Sequence, residues 1–203
     1  MIVVGLTGSI AMGKSTVAAM FAEFGVPTFN ADDAVREFYA DGEGAKSIET
    51  AFPGVMVEGK IDRERLGARV LGDPTALERL EGLVHPSVAK ARNRFLERAA
   101  AEGRRMAIVD VPLLIETGGD SDVDLVVVVS APESVQRARA LAREGMTEAK
   151  LEALMARQAS DAAKRRRAHF IIDTRGSRQS TRAVVAQFMR AGAALAGGRR
   201  RDA

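Results

Sequence analysis

The sequence predicts an α/β protein: a doubly wound, five-stranded parallel sheet, three layers deep as α/β/α. Continuous apolar runs recur along the chain, the clearest at residues 106–111, 123–129 and 168–173. They are rich enough in Val and Ile to be strands buried on both faces. Between the runs lie segments with apolar residues at helical spacing, which is the β/α alternation of a parallel sheet. The N-terminal run, residues 2–6, ends in Thr7-Gly8-Ser9-Ile10-Ala11-Met12-Gly13-Lys14-Ser15-Thr16, and a helix follows with Val17, Met20, Phe21 and Phe24 at i, i+3, i+4 and i+7.

That glycine loop fits G-x-x-x-x-G-K-[ST] at Gly8, Gly13, Lys14 and Ser15. The pattern cradles phosphate for physical reasons. Glycines let backbone N–H groups turn inward, and the helix N-terminus adds positive potential. Lys14 reaches the β- and γ-phosphates, and the Ser15 hydroxyl ligates Mg²⁺. A plain strand-to-helix turn is the structural alternative, but a turn alone does not require Lys14-Ser15 at that offset.

Gly25 ends the first helix, and residues 26–29 read as the second strand. Asn30-Ala31-Asp32-Asp33 stands at its C-terminal end, and a helix with Val35, Phe38 and Tyr39 on one face follows, with an Asp as its N-cap. Asp41-Gly42-Glu43-Gly44 breaks that helix, and residues 53–59 read as a turn-rich connection. Asp62 caps a segment with Leu66 and Val70. Asp73-Pro74 restarts with Leu77, Leu80 and Val84, and His85-Pro86 ends that helix and opens another with Val88, Ala91, Phe95 and Ala99 inward, closed by Gly103. So much helix between two strands suggests a helical substrate domain inserted into the sheet. Residues 106–111 and 123–129 are the third and fourth strands. Ser130-Ala131-Pro132-Glu133 reads as a capping box, Thr147 as a second helix start, residues 168–173 as the fifth strand, and Gly197 onward as a frayed tail.

Composition sets the class. The 203 residues are 46% hydrophobic and 28% charged, as in a soluble globular protein, with no apolar run of membrane-spanning length. Met1 leads directly into a strand, leaving no room for a signal peptide, and the absence of cysteine excludes disulfides and thiolate metal sites. A cytoplasmic enzyme is the expectation. Much of the excess charge behind the net +3 lies in two basic runs, residues 164–167 and 199–201.

Three constellations add chemistry. Asp110 ends a buried strand on the sheet edge that faces the loop, where its carboxylate either holds Mg²⁺ or is a solvated strand end. Asp32 lies at the same edge, and either accepts a substrate hydroxyl proton or caps a helix, with Asp33 the competing cap. Arg139 and Arg143 are four apart on one helical face, with Gln136 one turn earlier. They either clamp phosphates when a lid closes or form a solvated face.

Taken together these pieces resemble the dephospho-coenzyme A kinases, from Val3 to about Asp173. The residues that carry the likeness are the loop with Gly5-Leu6-Thr7-Gly8, Asn30-Ala31-Asp32 with Arg36, and Leu80, Leu83, His85-Pro86 and Val88. Asp110-Val111-Pro112-Leu113-Leu114-Ile115-Glu116 follows, then Gln136, Arg139, Arg143 and Gln158, and Ile171-Ile172-Asp173. The resemblance implies transfer of the ATP γ-phosphoryl group to the ribose 3′-hydroxyl of dephospho-CoA, with ATP and Mg²⁺. Asp32 matches the base and Lys14 the second catalytic residue. Gly8 and residues 11–16 (Ala11, Met12, Gly13, Lys14, Ser15 and Thr16) match the ATP loop, with Arg139 and Arg143 near the phosphates. Ser15 and Asp110 match the metal position. Thr7, Asp32, Arg36, His85, Leu113 and Leu114 match the acceptor site. It implies a nucleotide core at 1–31, 104–131 and 168–196, a CoA-binding helical insertion at 32–103 and lid helices at 132–167. No nucleic-acid or membrane partner is expected, and a monomer or weak homo-oligomer is.

The chain departs from the family pattern at Ser9, Ala11, Met12, Asn30, His169 and Thr174. An alanine at position 11 costs little at negative φ, and strains the loop at positive φ. Two rival readings are a P-loop kinase for nucleoside monophosphates or sugars, and a nucleic-acid-associated NTPase suggested only by the basic runs. No guanine-reading N-K-x-D is present.

Overall fold

A computed structural model describes the backbone of residues 1–40 and 42–198, and side chains through residue 192. It divides into two compact units: Met1–Phe29 with Arg98–Ala203, and Asn30–Glu97.

The first unit holds a five-stranded sheet of β1 (Ile2–Thr7), β2 (Thr28–Asn30), β5 (Met106–Asp110), β6 (Leu125–Ser130) and β7 (Phe170–Asp173), in the order β2-β5-β1-β6-β7. β1 pairs in parallel with β5 and β6, and β6 with β7. Chain order therefore reverses around β1, and in such sheets ligands bind at the carboxyl ends beside that reversal. The register sets Leu6 opposite Asp110, so the terminal carboxylate of β5 lies beside the end of β1. Around the sheet lie α1 (Lys14–Glu23), α6 (Glu133–Leu141), α8 (Asp161–Arg167) and α9 (Arg178–Gly198), with α7 (Glu148–Met155) packed on α6. Val17, Met20 and Phe21 of α1 join Val4, Leu6, Ile108, Val127 and Phe188 in the main core.

The second unit has α2 (Ala31–Ala40), α3 (Gly42–Ala51), a hairpin of β3 (Met56–Val57) and β4 (Lys60–Ile61), α4 (Arg63–Val70) and most of α5 (Pro74–Ala101). Its own core contains Ala45, Ile48, Phe52, Val55, Ile61, Leu66, Leu80 and Val84.

Several expectations are corrected. His85-Pro86 does not divide a helix, because Pro86 lies inside the 28-residue α5. An interior proline costs about 3 kcal/mol, but Leu80 and Val84 before it and Val88 after it anchor one apolar stripe. Helix α2 does end at Ala40, where the break was expected, but residues 42–44 then open a further helix, α3. Gly44 is required there, since any Cβ would run into the Phe38 carbonyl. The 53–59 connection is turn-rich as expected, and it also carries β3 of the β3–β4 hairpin. Ser130 does not cap α6, which starts after Pro132 with no side-chain cap, and its hydroxyl donates instead to Asp161 at 2.8 Å. Phe24, Leu77 and Leu154 face outward, and the Arg182 guanidinium covers the Phe24 ring at 4.7 Å. Gly197 and Gly198 lie in α9, and the rest of the expected tail, with the run at 199–201, falls outside the described residues.

The other basic run is built into the fold. Lys164 is 0% exposed, with its ammonium 2.8 Å from Glu116 and 3.3 Å from the Pro112 carbonyl. Arg167 pairs with Asp120 at 2.5 Å, and Arg165 donates to the Ser130 hydroxyl. Burial pushes the Glu116 carboxyl up, but the Lys164 hydrogen bond and the Ala159 N–H outweigh it and hold it below the usual carboxylate range. A carboxyl with a lower pKa folded than unfolded stabilises the fold above the ordinary range, and loses that contribution as pH falls through the lowered value. Glu116→Gln is therefore expected to cost roughly 2 kcal/mol at pH 7 in urea unfolding, the deficit shrinking as pH falls through and below the ordinary carboxylate range. A deficit independent of pH would assign the effect to packing.

Candidate active site

The phosphate loop is shaped by its anchors. Thr7 is fully buried, its hydroxyl donating to the Pro112 carbonyl at 3.0 Å. Gly8 passes so close to β6 that a Cβ would lie 2.6 Å from the Val129 oxygen. Ala11 (φ 61) and Gly13 (φ 89) are both left-handed, on either side of Met12. Alternation of this kind makes a concave, anion-binding backbone. Gly13 is the N-cap of α1, with no side-chain cap and no acidic residue in the first turn, so the helix terminus keeps its positive potential for an anion.

Ala11 is therefore on the strained side of the two cases its sequence allows. The left-handed backbone costs an L-residue about 1–2 kcal/mol. Its methyl is buried against Ala140 and Leu151, however, which contributes about 0.8 kcal/mol, and a glycine would add unfolded-state entropy of about 0.5–1 kcal/mol. The terms nearly cancel. Ala11→Gly is expected to change unfolding free energy in urea by less than about 1 kcal/mol. A gain above about 1 kcal/mol would mean that the methyl's packing contributes little. Met12, 2% exposed, fills the main core, accepts a hydrogen bond on its sulfur from the Ala131 N–H, and accepts the Thr174 hydroxyl on its carbonyl at 2.8 Å.

Lys14 forms an ion pair with Asp110, which is 1% exposed. Ser15 and Thr16 are exposed at the start of α1. The structure thus brings Lys14, Ser15 and Asp110 to one sheet edge. A cavity of about 310 Å³ opens beside the loop, lined by Ala11, Gly13, Thr16, Arg139, Arg143 and Thr174 among others. Arg139 is fixed there by Thr174, donating to its hydroxyl at 3.0 Å and its carbonyl at 2.6 Å. Thr174, a departure from the family pattern, joins loop to arginine. Arg143 lines the same cavity and pairs with no acid among the described residues. At the end of β7 the Asp173 carboxyl is held below its usual range by the hydrogen bond from Arg175, at 2.7 Å.

The second unit has a cavity of about 470 Å³ lined by Asp32, Val35, Arg36, Tyr39, Arg63 and Leu66, among others. Asn30, not an aspartate, caps α2. Its side-chain oxygen accepts from the Asp32 and Asp33 N–H groups at 2.9 and 3.1 Å. Asp33 pairs with Arg36 at 2.5 Å. The Asp32 carboxylate has no hydrogen bond or ion pair among the described residues, so capping does not account for it. Burial raises the Tyr39 phenol, opposed by the Arg63 guanidinium 5.6 Å from its ring. No motif marks Arg63 in the sequence, and Tyr39 reads there only as part of a helix's apolar face.

Other site candidates are placed less favourably for ligand contact. Leu114 is buried over Gly5, where a Cβ would lie 2.5 Å from one of its methyls, and Thr7 is equally buried, so neither side chain is open to a ligand. Leu113 is exposed. His85 is exposed on α5 and does not line the Asp32 cavity.

A phosphate loop at the reversal of a β2-β5-β1-β6-β7 sheet, with a buried acid on the adjacent strand and arginines over the loop, defines a P-loop kinase. Comparison with known proteins narrows the class. The sequence model of the dephospho-CoA kinase family matches residues 2–180. A "Dephospho-CoA kinase" of Rhodopseudomonas palustris (strain BisB18) is 53% identical over 95% of this chain and 96% of its own. The Thermus thermophilus protein TT1252 superposes with a TM-score of 0.80 at 30% identity, over 93% of this chain and 97% of that one. The dephospho-CoA kinase of Campylobacter jejuni shares the fold, with a TM-score of 0.65 at 23% identity, over 94% of this chain and 96% of its own. The chain belongs to the dephospho-CoA kinase family.

Proposed function

We propose that this chain transfers the γ-phosphoryl group of ATP to the ribose 3′-hydroxyl of dephospho-CoA, giving coenzyme A and ADP. The observation that carries the acceptor assignment is the uncommitted Asp32 carboxylate at a cavity that also presents Arg36 and Arg63. Such a cavity suits an acceptor that brings a hydroxyl and its own phosphates. In the step, the acceptor oxygen bonds to the γ-phosphorus in line as the bond to the β–γ bridging oxygen breaks. The hydroxyl proton passes to Asp32, and ADP leaves.

Lys14 and the uncapped first turn of α1 would bind the β- and γ-phosphates, with Arg139 and Arg143 neutralising charge from the lid side. Ser15 and Asp110 fit Mg²⁺. One hydroxyl and one carboxylate are hard oxygen donors, few enough to suit an ion that keeps water and phosphate oxygens as its other ligands. An ion held by Ser15 and Asp110 would supply charge neutralisation at the phosphates. In this reading residues 1–31, 104–131 and 168–196 are the nucleotide core, 32–103 receives the acceptor and 132–167 is the lid. The enzyme acts in the cytoplasm as a monomer or weak homo-oligomer. Among the described residues no helix is long and apolar enough to cross a membrane.

A coupled assay of ADP release with ATP–Mg²⁺ tests the acceptor. Turnover with dephospho-CoA, and little with nucleoside monophosphates or sugars, is expected, and the reverse preference would overturn the proposal.

A further inference from the structure

Ile10, the residue before left-handed Ala11, is gripped on both of its peptide groups. Its N–H donates to Gln158 Oε1 at 3.0 Å, and its carbonyl accepts from Gln136 Nε2 at 2.9 Å. Gln136 lies on α6 and is 4% exposed, while Gln158 follows the end of α7. The polarity of both amides is dictated by their partner, since an N–H meets only the amide oxygen and a carbonyl only the amide NH₂. Around this pair Ile10 and Ala11 pack against Leu141, Met146, Leu151 and Met155. A buried amide is costly unless both ends find partners, so the arrangement fixes the backbone at the one place where the loop turns into a disfavoured conformation.

We infer that Gln136 and Gln158 are positioning residues of the phosphate loop. They hold Ile10 so that Ala11 keeps its left-handed backbone, and they tie the loop to α6–α7. Any displacement of those helices is thereby transmitted to phosphate affinity. Neither side chain needs to touch the nucleotide. The inference rests on the phosphate-binding reading of residues 8–15, and is independent of the acceptor's identity.

Two glutamate variants separate this from simple packing. Gln136→Glu and Gln158→Glu add the same charge beside the same residue. A carboxylate at 158 still accepts the Ile10 N–H, whereas one at 136 cannot donate to the Ile10 carbonyl. Calorimetric binding of ADP reads the loop directly. Gln136→Glu is expected to bind ADP about fivefold to tenfold more weakly than Gln158→Glu, and Gln158→Leu about fivefold more weakly than the unmutated chain, with its KM for dephospho-CoA unchanged. Equal ADP affinities in the two glutamate variants overturn the inference. Should Gln136→Glu fail to fold, Gln158→Leu decides alone: wild-type ADP affinity in that variant overturns it. If the unmutated chain binds no ADP, the phosphate-loop reading itself fails, and this inference with it.

Discussion

Asp32→Asn is expected to lower turnover with dephospho-CoA by about 10²- to 10⁴-fold and to leave ATP affinity nearly unchanged. The amide is close in shape to the carboxylate but accepts no proton. Helix α2 does not depend on the lost group, because Asn30 supplies its cap and Asp33 its ion pair with Arg36. Asp32 contributes only a negative charge in the first turn, with an effect of about 0.3–1 kcal/mol on helix stability. Single-turnover kinetics with ATP binding measured in parallel separate the two effects. Near-wild-type turnover would remove Asp32 from the chemistry and leave its bare carboxylate unexplained.

Lys14→Ala is expected to damage binding and rate together. The ammonium reaches the site edge, as its pairing with Asp110 demonstrates. A charge-assisted hydrogen bond is worth about 1.5–3 kcal/mol, which corresponds to ATP binding weaker by roughly ten- to a hundredfold. Charge also develops as the phosphoryl group leaves, and removing one donor aimed at it costs a further 10²- to 10³-fold in kcat, by typical magnitudes. Calorimetry with ATP and stopped turnover assays check both. Unchanged ATP affinity would overturn the cradle assignment.

Much of this was legible in the chain because it depends on local chemistry. Strand, glycine loop and helix follow from residues 2–24 alone, and the caps at Asp62 and Asp73 lie where the sequence puts them, with side-chain oxygens on the N–H groups two and three residues ahead. What escaped depends on partners far along the chain. Lys164 looks like part of a solvated basic run until Glu116 and Pro112 are seen around it. Ser130 looks like a cap until Asp161 arrives. Pro86 has the local signature of a helix end, which the apolar anchors on each side override. Asn30 shows the subtler case: three polar residues compete to start one helix, and only the fold selects which of them does so. The roles of Gln136 and Gln158 toward Ile10 lie 126 and 148 residues apart in sequence, and no spacing rule reaches across that distance.

The Lys14–Asp110 pair changes how any measured affinity of this site should be understood. The Lys14 ammonium is paired with one oxygen of the buried Asp110 carboxylate, so a nucleotide does not arrive at two waiting charges. It must win the lysine from a partner already in place. The observed binding free energy is thus a difference between two well-matched arrangements, smaller than the strength of the contacts in the complex. Moderate affinity at this loop is compatible with strong individual contacts, and it lets product go.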